Sequence, residues 1–74
     1  MSRRFSPLRL IEERERVGKS RQDLADATRR SWWSVYGWER GSAAPPANTL
    51  ARIADALECR IDDLFVEEGR SSCG

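Results

Sequence analysis

The chain has no histidine, two cysteines and a single lysine among its 74 residues. Without histidine, neither a Ser-His-Asp nor a Cys-His arrangement can be assembled. Cys59 and Cys73 lie 14 positions apart and fall short of the roughly four Cys and His ligands that a zinc site needs. The lone lysine, Lys19, belongs to a loop, no glycine-rich phosphate cradle is present, and the carboxylates are scattered over helix surfaces and caps. These absences argue against an enzyme, a metal ion, a cofactor or a small-molecule substrate. Long apolar runs are missing too. No stretch approaches the roughly 20 residues that cross a bilayer, and no signal-type segment follows Arg3 and Arg4, so the expected location is the cytoplasm, away from any membrane.

What is present is small and unevenly charged. A chain of 74 residues makes one domain, and at this size only roughly 60% of the extended surface is buried on folding, so stability should be modest. The net charge is only +1, but residues 1–40 carry ten basic and six acidic side chains (+4), and residues 41–74 three basic and six acidic (−3). Such asymmetry points to a basic face and an acidic end. Of the two cysteines, Cys59 sits between Leu57 and Ile61 and reads as a small buried apolar residue, whereas Cys73 reads as exposed in the tail.

The most informative stretch is SRQDLADATRRSWWSVYGWERG, Ser20 to Gly41. Ser20 and Asp23 have the spacing of a capping box, with Asp in place of the usual Glu. Leu24, Ala25 and Thr28 then share one face of a two-turn helix. Ser31 caps a second helix whose inward residues are Val35 and Trp38, and Gly41 stands where a helix ends in the left-handed conformation. Trp32 and Trp33 are about 100° apart around that helix and cannot both pack inward, so at least one aromatic ring should be exposed.

On either side the pattern is helical. Ser6-Pro7 starts a helix expected to run to Val17, with Leu10 and Val17 on one face and Leu8 and Ile11 nearby. Gly18-Lys19 ends it. Ser42 to Pro46 is a loop, because Ala-Ala-Pro-Pro cannot continue a helix. From Ala47, the stripe Leu50, Ile53, Ala54 and Leu57 is the strongest periodicity in the chain and belongs to the core. A last short helix is expected from about Asp62 to Val66, carrying Leu64 and Phe65, with Asp62 and Asp63 at its positive N-terminus. The expected organisation is a flexible basic arm at 1–6, a domain at 7–66 and a disordered polar tail at 67–74.

Ser20, Leu24, Ala25, Ser31, Val35, Trp38, Glu39-Arg40-Gly41, the run Thr49 to Leu57 and Asp62-Asp63-Leu64-Phe65 occur together, and in this order and spacing the chain resembles the Cro and phage-repressor (Xre-type, lambda-repressor-like) helix-turn-helix domains. The resemblance covers about 55 of the 74 residues. It implies an all-α, compact five-helix domain with its helix-turn-helix at residues 20–41, binding double-stranded DNA as a transcriptional regulator. In such domains the second helix of the pair lies in the major groove and the first crosses the backbone. The resemblance thus implies base or groove contact by Trp32, Trp33, Ser34, Tyr36 and Gly37, phosphate contact by Arg21, Arg29, Arg30, Arg40 and Ser42, and a homodimer on two half-sites.

The chain departs from the family pattern at four places. Glu13 and Arg14 replace apolar or small residues in the first helix, Lys19 stands at an apolar position, Arg29-Arg30 occupies the turn, and rings occupy the reading helix where polar side chains are common. Arg29 is thereby expected to take a positive φ. Arg3 and Arg4 read either as an arm reaching phosphates or a minor groove, or as two solvated charges at a frayed terminus. Two rival functions share these features: a protein-interaction module, antirepressor-like or antitoxin-like, that docks through the aromatic helix, and an excisionase-like architectural DNA binder.

Overall fold

The stripe Leu50, Ile53, Ala54 and Leu57 forms the inner face of α4 (Ala47–Leu57) in the computed structural model, which describes residues 2–68. Around it pack α1 (Pro7–Arg16), α2 (Arg21–Thr28) and α3 (Trp32–Arg40). They contribute Leu10, Leu24, Ala25, Val35 and Trp38 to one shared core, which Leu64 closes from below. Each start is specified locally. Ser6 accepts from Arg9 N ahead of Pro7, the Ser20–Asp23 capping box is closed in both directions, and Ser31 accepts from Ser34 N. Every buried side-chain polar atom among the described residues has a hydrogen-bond partner.

The expected five helices become four, plus a short 3-10 turn at Ile61–Leu64. The turn stops at Leu64 because Phe65 goes extended (φ −119°, ψ 153°), and Phe65–Glu68 becomes β2. Its partner is β1 (Ser2–Phe5), so these residues of the expected arm form a strand instead. The pairing is antiparallel, with Phe5 opposite Phe65 and Arg4 opposite Val66. The two phenyl rings meet edge to face at 6.4 Å and lean on the core, and Ser6 N donates to Leu64 O at 2.9 Å. Burying those rings against the core is what ties the terminus down.

Glu67 and Glu68, assigned to the polar tail, lie in this strand, and the rest of the tail with Cys73 falls outside the described residues. Leu8, expected near the inward face of α1, is 61% exposed. Cys59 is half-buried against the core, and its burial pushes the thiol pKa upward.

Candidate nucleic-acid interface

The turn between α2 and α3 is built from Arg29 in the left-handed region (φ 59°, ψ 37°), as the departure from a small turn residue required. This conformation brings the Arg29 and Arg30 amides back onto the Ala25 and Asp26 carbonyls. Arg29 is exposed, and Arg30 is exposed with its Nη2 donating to Thr49 Oγ1 at 3.4 Å. Neither makes an ion pair among the described residues.

From that turn α3 presents two contrasting faces. Its inner face is Val35, Trp38 and Glu39, all buried. Its outer face carries Trp32, Trp33 and Tyr36, packed into one unit. Trp32 stacks on Tyr36 at 5.2 Å and 12°, while Trp33 stands edge-on to both, at 5.0 Å and 5.9 Å. Trp33 is the exposed ring that the helical geometry demanded, at 72%. The guanidinium groups of Arg21 and Arg40 lie 6.0 Å and 5.5 Å from the Tyr36 centroid, within cation–π range. Ser34 shares its hydroxyl with Ser31 at the helix start. Gly37 leaves its surface open, and the Ser42 hydroxyl donates to the Gly37 carbonyl at 3.3 Å. A Cβ at position 37 would sit 3.4 Å from that hydroxyl oxygen.

Two residues outside the expected site, Arg14 and Glu39, hold this helix in place. Glu39, on the inner face of α3, accepts from Arg14 Nε at 2.6 Å and from Arg21 Nε at 2.7 Å. The Arg14 and Glu39 side chains are only 10% and 3% exposed, and Arg14 Nη1 also donates to the Lys19 carbonyl at 2.9 Å. One carboxylate therefore anchors α3 to both α1 and α2. The misfit of Arg14 in the first helix was its only sequence signal: a cation on a core face needs an anion, and Glu39 follows the core residue Trp38. Arg21, expected on a phosphate, is held by Glu39 beside Tyr36 and is half-exposed. Around α3 the cations without an ion pair among the described residues are thus Arg29, Arg30 and Arg40.

A capped helix, a left-handed turn and a second capped helix ending at left-handed Gly41 follow one another from Ser20 to Gly41. The helix-turn-helix family model HTH_3 matches residues 10–64. The chain is a helix-turn-helix protein. It is 38% identical over 56 residues to the cryptic phage CTXphi transcriptional repressor RstR of Vibrio cholerae. That alignment takes in 76% of the chain and spans half the length of the repressor. Its fold is similar to that of the restriction-modification controller protein C.AhdI from Aeromonas hydrophila, with a TM-score of 0.73 and 29% identity over 78% of this chain and 88% of that one. No helix among the described residues is long and apolar enough to cross a membrane.

Proposed function

We propose that this helix-turn-helix chain is a sequence-specific regulator of transcription that binds double-stranded DNA with α3 in the major groove. The observation that carries this reading is the outer side of α3 and its turn. Three rings and the cations Arg29, Arg30 and Arg40 face outward, while the one carboxylate of α3, Glu39, is buried. Arg29, Arg30 and Arg40 would hold phosphates, with Ser42 beside them and Arg21 contributing only what Glu39 leaves of its charge. Trp32, Trp33, Ser34, Tyr36 and Gly37 would face the groove. One helix of nine residues reads few base pairs, so two copies on half-sites about 34 Å apart are the arrangement that gives useful specificity. A transcriptional repressor among its relatives supports the regulatory role.

The 72% exposure of Trp33 favours one rival, docking of the aromatic face on another protein. Titrating a generic duplex at low and moderate salt separates the two. DNA binding releases counterions and should weaken steeply as salt rises, whereas an aromatic protein contact should not. Absence of duplex binding even at low salt would reject the DNA reading.

A further inference from the structure

The outer face of α3 has almost none of the groups that read bases by paired hydrogen bonds. Bidentate readout of adenine uses Asn or Gln, and of guanine Arg or Lys. Here Ser34 is engaged with Ser31, Gly37 has no side chain, and the Arg40 guanidinium lies over the Tyr36 ring. What projects instead is the Trp33 ring. Trp32 and Tyr36 buttress it at 5.0 Å and 5.9 Å, and they are themselves stacked within 12° of parallel. A ring held in this way has lost most of its freedom before binding, so burying it against a ligand costs little further order. In a major groove, the apolar feature that such a ring can meet is the C5 methyl of thymine.

We infer that Trp33, braced by Trp32 and Tyr36, makes this protein a reader of 5-methylpyrimidines, with sequence preference set mainly by thymine methyl groups instead of by hydrogen bonds to base edges. The inference rests on the DNA reading above. A methyl group present on the base is buried against the indole, and one removed leaves an unfilled gap. Each contacted methyl should therefore change affinity by about fourfold, the worth of one buried carbon. Because cytosine lacks only this group at C5, a 5-methylcytosine placed at a contacted position should recover part of the lost affinity.

The test begins with duplexes retained from a random pool at low salt. The selected site is remade with deoxyuridine at every thymine, which removes the C5 methyl groups alone, and binding to both forms is followed by fluorescence anisotropy. The wild type should bind the uracil form several-fold more weakly. Trp33→Ala should bind both forms alike, and Trp33→Phe should keep part of the discrimination. The variant comparison separates a ring–methyl contact from any change in the stiffness of uracil-containing DNA, and circular dichroism checks that the exposed substitution leaves the fold intact. Equal wild-type affinity for the two forms, or undiminished discrimination by Trp33→Ala, would overturn the inference while leaving DNA binding standing. A protein that retains no duplex at all would overturn both.

Discussion

Two sets of arginines divide this molecule. Arg3, Arg9 and Arg16, on the first strand and first helix, each lie against a carboxylate: Asp62 at 3.5 Å, Glu12 and Glu13 at 2.8 Å and 3.1 Å, and Glu13 at 2.7 Å. They also donate to the Asp62, Asp63 and Leu57 carbonyls, and so link β1 and α1 to the end of α4 and the 3-10 turn beyond it. Arg29, Arg30 and Arg40, around α3, have no carboxylate partner among the described residues. The lesson is that a count of charges along the chain does not locate a polyanion site. The first set is already paired with carboxylates of the fold; the second is left available.

The largest expected effect lies where the two regions meet. Glu39→Ala leaves the buried Arg14 without its counter-ion, and breaking a buried pair from one side costs about 3–5 kcal/mol. That is a large share of what a domain this small possesses. Urea unfolding should show the loss, and a change below about 1 kcal/mol would mean that Arg14 relaxes into water. Trp33→Ala comes next. It should leave the unfolding midpoint nearly unchanged yet weaken duplex binding by about tenfold, the worth of most of one buried ring. A duplex titration that showed equal affinities would remove the aromatic face from the interface.

Arg29→Gly sharpens the contrast further, because it separates stability from function at a single position. Glycine takes φ 59° without steric cost, so unfolding stability should rise by up to about 1 kcal/mol while DNA affinity falls. Loss of both together would indicate a structural role for the side chain. The smallest effect concerns pH. Bonds from the Ser20 amide and hydroxyl hold the Asp23 carboxyl below its ordinary range. The unfolded chain therefore binds this proton more readily, and the stabilisation is complete above the ordinary carboxylate pKa of about 4 and fades as pH falls through the lowered value. Asp23→Ala should flatten this part of a urea midpoint series taken from pH 6 downward.

Local chemistry made the helical frame legible. Caps at Ser6, Ser20 and Ser31, left-handed Gly41 and the Leu50–Leu57 stripe each depend on residues within a few positions, and all appear where the pattern put them. The positive φ at Arg29 was legible for the same reason. The two strands were not, because β1 and β2 are four residues each, half of them charged, and pair across some sixty positions with no local trace. Nor was the Glu39 anchor, since a charged residue looks solvent-facing until its partner is found on another helix. That at least one ring must be exposed could be deduced from helix geometry, but the packing of three rings into one braced unit could not.

The most direct test of the division is the salt dependence of duplex binding in two neutralised proteins. Replacing Arg29, Arg30 and Arg40 by Gln should lower the slope of log affinity against log salt by about one unit per arginine per bound copy. Replacing Arg3, Arg9 and Arg16 by Gln should leave the slope of the wild type unaltered. Equal losses from the two sets, or a wild-type slope near zero, would contradict the account.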